Sequence, residues 1–234
     1  MTDGMLVSSL AGNIERVNKL ISIKASRNRY TAEIGDVVIG RILEIGQKRW
    51  KVDCNAKQDS VLLLSSIHLP GIIQRRKSES DELQMRTFFA ECEILVAEVQ
   101  MLYHDGAFGI HTRNLKYGKL VTGELITVQA SLVRRSRSHF LTFSWGVEVI
   151  LGLNGYVWIG KPRKKMDEQD LDAIYSSTLM SVSKEEREMI SRTRNCILAL
   201  DRLFRYIDED SIRRIFDASQ SLPSCEILSK IRLT

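Results

Sequence analysis

The sequence predicts a multidomain, β-rich fold with a small N-terminal β segment, a five-stranded barrel and an α/β C-terminal portion. Three observations predict it. Five short apolar-alternating runs fall between residues 36 and 111, which is the strand density of a small closed barrel. The first thirty-odd residues also alternate, but they offer too little area to enclose a core of their own. Beyond residue 183 the period changes, and Met189, Ile190, Cys196, Ile197, Leu200, Leu203, Phe204 and Ile207 recur at helical spacing.

Taken in order, residues 6–10 are short and apolar, and Ala11-Gly12-Asn13 breaks that run. Residues 17–23 mix apolar and polar side chains, and Arg27-Asn28-Arg29 reads as a turn. Small hairpins result, and they must dock on something. The first barrel strand, 36–45, sets Val37, Ile39, Leu43 and Ile45 on one face. Gly46-Gln47-Lys48 turns the chain into a second strand, 49–54, and a third follows at 61–64. The fourth, 93–101, is rich in β-branched and aliphatic residues. Asp105-Gly106 leads into the fifth, 107–111. Residues 65–91 form a long excursion with a short helix expected over 81–89; insertions of that length are usually functional or mobile. Residues 115–129 read as a connector with another strand. The strand-like runs 147–151 and 156–159 flank Gly152-Leu153-Asn154-Gly155. Ser183 with Glu186 makes a capping box that opens the helical region. A second helix is expected over 210–218 and a third after Pro223. No internal repeat is present.

The chain carries a net charge of +5, which favours polyanion partners. The distribution is more informative. Arg113, Lys116, Lys119, Arg134, Arg135 and Arg137 share a window, 111–137, whose one acid is Glu124. Arg75-Arg76-Lys77 and Lys161-Pro162-Arg163-Lys164-Lys165 form two further clusters. Cys54, Cys92, Cys196 and Cys225 lack C-x-x-C spacing and sit in or beside apolar stretches, so buried free thiols are expected. His68, His104, His111 and His139 are scattered, so neither a metal site nor a cofactor is expected. No run has transmembrane length and no secretory signal is present, so the reading is a soluble chain of a reducing compartment. Phosphate-loop, H-E-x-x-H, G-x-S-x-G and G-x-G-x-x-G motifs are missing. The acidic groups Asp81-Glu82 and Asp208-Glu209-Asp210 read as helix-terminal charge. No catalytic residue is therefore assigned.

Candidate binding residues concentrate on the barrel. Lys48, Arg49, Trp50 and Lys51 alternate cations with one large aromatic; cations neutralise phosphates, and an aromatic face accepts an unpaired base. His104, Phe108 and His111 extend that surface, and Arg113, Lys116, Arg75 and Arg76 add charge. The opposing reading places Trp50 and Phe108 in the core, where strand aromatics are most often found. Gly152-Leu153-Asn154-Gly155 is a hairpin turn on its own evidence. KH domains use a G-x-x-G loop to approach a nucleic-acid backbone, but there it joins helices, and here strand-like residues flank it.

Several runs, in this order, resemble one family. They are Val17-Asn18-Lys19-Leu20-Ile21, Gly35-Asp36-Val37-Val38-Ile39-Gly40-Arg41-Ile42 and Gln47-Lys48-Arg49-Trp50-Lys51-Val52. Asp59-Ser60-Val61-Leu62-Leu63-Leu64-Ser65-Ser66, then His111-Thr112-Arg113-Asn114-Leu115-Lys116-Tyr117-Gly118-Lys119-Leu120, continue the match, and the run from Val149 to Ile159 completes it. Together they are similar to the S1/KH cap subunit family of the RNA exosome, the ribosomal RNA processing protein four family. The resemblance implies an N-terminal β domain at 1–34, an S1 (OB-fold) barrel at 35–115 and a KH domain with its connector at 116–234. It implies a seat on RNase-PH-like ring subunits beside other S1-containing cap subunits. It further implies guidance of single-stranded RNA for 3'-5' degradation and processing, including rRNA maturation, in nucleus, nucleolus and cytoplasm. Hydrolysis belongs to separate exonucleases in that arrangement, and no membrane is involved. Gly152, Asn154 and Gly155 are then architectural. One departure is that residue 1 lies close to the N-terminal β segment, leaving little of the leading extension of eukaryotic members. The alternatives are a purely structural adaptor without RNA contact and a stand-alone ribonuclease.

Overall fold

The computed structural model describes residues 7–9, 11–25, 28–67, 82–163, 175 and 180–230. Three sheets organise the described residues: a two-stranded hairpin, a closed barrel with one added strand, and a four-stranded antiparallel sheet.

The hairpin pairs β1 (Gly12–Val17) with β2 (Leu20–Ala25). Its turn is Asn18-Lys19, with Asn18 at φ 56°. The sequence reading had broken the chain at 11–13 and run 17–23 together. Asparagine is one of the few residues that enters the left-handed region cheaply, so Asn18 was the real turn signal. Ile14, Ile21 and Ile23 share one pleat face and Val17 and Leu20 the other. Ile14 is 74% exposed and Leu20 69%, so both apolar faces of the hairpin are largely uncovered.

The barrel comprises β3 (Val37–Gly46), β4 (Arg49–Asp53), β5 (Ser60–Ile67), β6 (Ile94–Leu102) and β7 (Phe108–Thr112). It closes because β3 pairs with both β4 and β6. β5 and β7 run parallel, and every other pairing is antiparallel. β8 (Gly118–Leu120) adds to β6. A bulge between Ile42 and Glu44 gives β3 the bend that closure requires. Ile42, Trp50, Val52, Leu62, Val99, Phe108 and Ile110 fill the interior. Helix α1 (Met85–Phe88) lies within the excursion and places Met85 and Phe89 in the same core.

The C-terminal sheet has the order β10-β11-β12-β9, from β9 (Gly123–Thr127), β10 (Phe140–Thr142), β11 (Glu148–Leu151) and β12 (Tyr156–Gly160). Strand β10 was not anticipated, because three residues are too few to show a period. One face of the sheet, with Ile150 and Trp158, packs on Val37, Ile39 and Val96 of the barrel. The other face, with Val149, Leu151, Val157 and Ile159, packs on α2 (Lys184–Arg202). Helices α3 (Glu209–Ser219) and α4 (Ile227–Lys230) complete that layer. Trp145 lies flat between Phe143 (4.5 Å) and Phe216 (3.9 Å), and its indole N–H donates to Thr193 Oγ1 at 3.2 Å. Arg192 donates to Ser219 O at 2.6 Å and Leu222 O at 2.8 Å, tying α2 to the end of α3.

Both ends of α2 are capped. Ser183 Oγ accepts from Glu186 N–H at 3.2 Å, and Glu186 Oε2 accepts from Ser183 N–H at 2.8 Å. At the other end Arg205 N–H donates to Leu200 O and Phe204 N–H to Asp201 O, a Schellman pattern. The left-handed position of that motif favours glycine, yet Phe204 occupies it at φ 52°. Replacing Ser183 with alanine removes one reciprocal bond of the N-terminal cap. The expected loss is about 1 kcal/mol, read as a lower urea midpoint at unchanged slope.

Candidate nucleic-acid interface

Strand alternation decides which side chains reach solvent. In β4, Arg49 and Lys51 point outward, and Trp50 and Val52 point into the barrel. Trp50 is 0% exposed; its indole N–H donates to Phe89 O at 3.0 Å and its ring meets Phe89 edge-on at 5.7 Å. Phe108 is 1% exposed and meets Tyr30 edge-on at 6.2 Å. The stacking role anticipated for Trp50 and Phe108 is therefore corrected: both rings fill the barrel, and neither offers a face to a base.

The outer wall of the barrel is built in rows across the strands. Arg49 stands beside Leu63, and His111 stands beside Glu98. Lys51 stands beside Val61, which neighbours Gly109, which neighbours Met101. Gly109 is required there, since a Cβ would lie 2.7 Å from Met101 Cγ and 3.3 Å from Tyr103 Oη. Met101 and Tyr103 thus lie over the strand and remain partly exposed. Tyr103 is not among the residues the sequence points to, whereas Lys51 belongs to the cation-rich strand expected there. Lys51, two residues on from Arg49, shares its exposed face.

Lys48 sits exposed in the β3–β4 turn at φ 56°, 3.7 Å from Glu82. His104 is exposed in the β6–β7 turn, and Arg113 and Lys116 are exposed beyond β7. His111 is half-buried; its Nδ1 accepts from Arg113 N–H at 3.4 Å, and its Nε2 lies 4.0 Å from Glu98. Burial lowers its pKa below the usual histidine range, Glu98 acts against that shift, and Arg113 adds to it. Tyr117 donates to Glu98 Oε2 at 2.7 Å and contacts Phe140 at a ring separation of 6.0 Å. Arg163 binds Glu148 at 3.0 Å, donates to Lys116 O at 3.2 Å and covers Phe140 at 5.5 Å. The fold therefore groups His111, Arg113 and Lys116 at one edge, and aligns Arg49 and Lys51 on β4, with β5 between β4 and β7. Arg75 and Arg76 lie outside the described residues.

The Gly152–Gly155 turn closes the β11–β12 hairpin and is buried throughout. It meets the barrel where β3 is short of a partner. Residues 37–41 of β3 pair with β6, whereas β4 pairing begins only at Arg41. The backbone groups of Val37 and Ile39 that face away from β6 need other partners. Leu153 N–H donates to Val37 O at 3.0 Å. Asn154 Nδ2 donates to Ile39 O at 2.7 Å and to Cys54 O at 2.9 Å, and Asn154 Oδ1 accepts from Ile39 N–H at 3.3 Å. Asn55 Nδ2 donates to Asn154 O at 3.0 Å. Gly155 lies at φ 84°, and a Cβ there would collide with Val128 O; one on Gly152 would collide with Asn154 Oδ1.

A polar cluster reinforces the same junction. Asp36 accepts from Tyr30 Oη at 2.6 Å and from Glu33 N–H at 3.1 Å, and pairs with Arg135 at 2.8 Å. Burial first, and then Asp36, raises the Tyr30 pKa. His139 is buried nearby, with no partner for its Nδ1 among the described residues. Burial lowers its pKa below 6.5; Leu151 and Asp36 raise it in part, and Arg135 lowers it further.

Two predictions concern this junction. Asn154→Ala strands the Ile39 and Cys54 backbone groups and should lower the unfolding free energy by about 3 kcal/mol, measured by urea titration. His139, depressed in the folded state, takes up its proton more readily once unfolded. Its share of the stability is thus whole above about pH 6.5 and is lost as pH falls towards the folded-state pKa. His139→Leu should flatten that acid limb in thermal unfolding followed against pH.

Comparison with known proteins agrees with this architecture. The S1 domain of RRP4 matches residues 29–101, and a KH domain matches residues 123–165. The chain is 47% identical over 226 residues to the exosome complex component rrp4 of Schizosaccharomyces pombe, covering 93% of this chain and 69% of that one. It is 48% identical over 219 residues to the exosome complex component RRP4 of Bos taurus, covering 94% and 74%. A solved structure of an exosome complex RNA-binding protein aligns with a TM-score of 0.50 at 15% identity, covering 88% of this chain and 98% of that one, a likeness of fold alone.

Proposed function

This chain belongs to the RRP4 family, and on that premise we propose that it is an RNA-binding, non-catalytic cap subunit of an RNA exosome. The observation that carries the reading is the fixed pairing of an S1 barrel with a KH sheet, in which the outer barrel wall carries Arg49, Lys51, His111, Arg113 and Lys116. Guanidinium and ammonium groups there meet phosphates, and Tyr103 with the Leu63 and Val61 surface meets unpaired bases. Lys48 and His104 flank the same wall. Such contacts tolerate most sequences, which suits guidance of single strands towards 3'-5' degradation and processing, including rRNA maturation.

Membership of the family supports assigning hydrolysis to separate exonucleases. The proposed division is 1–34, 35–115 and 116–234; the β1–β2 hairpin, the β3–β7 barrel and the β9–β12 sheet support it, while β8 crosses it by pairing with β6. The partners are RNase-PH-like ring subunits and other S1-containing cap subunits, and the apolar faces of the β1–β2 hairpin fit a protein contact of that kind. Nucleus, nucleolus and cytoplasm are the compartments in which such a complex works. One observation favours a second reading, a structural adaptor that never touches RNA: the glycine-flanked turn at Asn154 is wholly buried.

A salt titration separates the two. Affinity for single-stranded RNA should fall linearly in log–log form as salt rises. Arg113→Ala with Lys116→Ala should weaken binding evenly across sequences and lower the slope by about 1 for each charge removed. Affinity that ignores both salt and these substitutions would favour the adaptor.

A further inference from the structure

The C-terminal sheet carries a second surface that the barrel wall does not explain. Ile207 N–H donates to Leu132 O, and Arg134 N–H donates to Ile207 O, so the α2–α3 loop is stitched alongside residues 132–134. That stitching sets Phe204, Arg205 and Tyr206 next to Arg134 and the residues leading to β10. Phe204 is 53% exposed and Tyr206 55%, large aromatic areas for a loop. Phe204 keeps its side chain at a left-handed position where glycine would be unstrained. The Arg134 guanidinium covers one face of Tyr206 at 4.7 Å.

Arg134 also lines a cavity of about 340 Å³ between the start of α3 and β10, the edge strand of its sheet, whose wall includes Arg137, Phe140, Leu141, Thr142 and Leu151. Two acids, Asp208 and Glu209, also line it, but both are engaged. Asp208 caps α3 by accepting from Ser211 N–H at 2.9 Å and pairs with Arg134 at 3.5 Å; Glu209 pairs with Arg213 at 2.9 Å. Arg137 and Arg205 have no ion pair among the described residues. Phe140 in the cavity wall touches Tyr117, whose ring lies 6.1 Å from His111 on the barrel.

We propose that this cavity and the Phe204–Tyr206 loop form a second single-stranded RNA site, reached from the barrel wall past Phe140. Arg137 and Arg205 take phosphates, and the exposed rings take unpaired bases. The site rests on the RNA-binding reading above and extends it to longer strands. A protein partner is the competing occupant; Arg137 and Arg205, without ion pairs among the described residues, favour the nucleic acid.

The test uses the full chain with two labelled oligouridylates, one of about 6 nucleotides that fills the barrel wall and one of about 20 that reaches both surfaces. Arg137→Glu with Tyr206→Ala should weaken the long strand about tenfold and leave the short one unchanged. Phe204→Gly suits its backbone position, so it should weaken the long strand without lowering the thermal midpoint. Photocrosslinks from 4-thiouridine should map to residues 134–142 and 203–206. Unchanged long-strand affinity, in a chain whose binding still falls on Arg113→Ala with Lys116→Ala, overturns this site and leaves the RNA reading standing. A wild-type chain that binds neither strand overturns both. Variants that keep RNA affinity but lose a protein from the assembled complex make the surface a protein dock instead.

Discussion

The architecture depends on an unmatched strand edge. β4 joins β3 only at Arg41, so the outward backbone groups of Val37 and Ile39 would be buried without partners. The turn at Leu153 and Asn154 supplies them, a carboxamide imitating a strand across two modules. Once those bonds are made, the Ile150 and Trp158 face of one sheet must cover Val37, Ile39 and Val96 of the other. The Asp36–Arg135 pair and the Tyr30 hydroxyl then fall into place at the same seam. A fully satisfied buried amide specifies geometry as much as it stabilises, because any shift would leave several polar groups unpaired at once.

Much of this was legible where the signal is local. The five barrel strands follow from alternation, and the Ser183–Glu186 box follows from spacing alone. The hairpin nature of the turn at Asn154 followed from its strand-like flanks. Its partners did not, because Ile39 lies 115 residues away and no local pattern encodes that meeting. Trp50 shows a different failure. The run from Lys48 to Lys51 contains its own answer, since period two puts Trp50 opposite Arg49 and Lys51, yet the composition of the run drew attention away from its geometry. Phe108 follows the same rule. Strand β10 escaped because three residues carry no period, and the Asn18 turn because Ala11-Gly12-Asn13 looked like a stronger break.

The outer wall differs from an aromatic platform. Its apolar area comes from Val61, Leu63 and Met101 with one phenol, and its cations are partly held by neighbours, as Lys51 is by Asp59 at 3.1 Å. On the RNA-binding proposal, such a wall would grip a backbone loosely and discriminate little between bases. That is the property a conduit requires, since a strand held tightly at one register would not advance.

The β1–β2 hairpin carries a further consequence. With Ile14, Val17, Leu20 and Ile21 all largely uncovered, a newly made copy waiting for its neighbours displays the kind of apolar β-edge that chaperones and proteases recognise. Burial against a neighbour removes that display. An uncovered hairpin of this kind is prone to edge pairing with other chains, so whatever covers it would also protect the chain from aggregation.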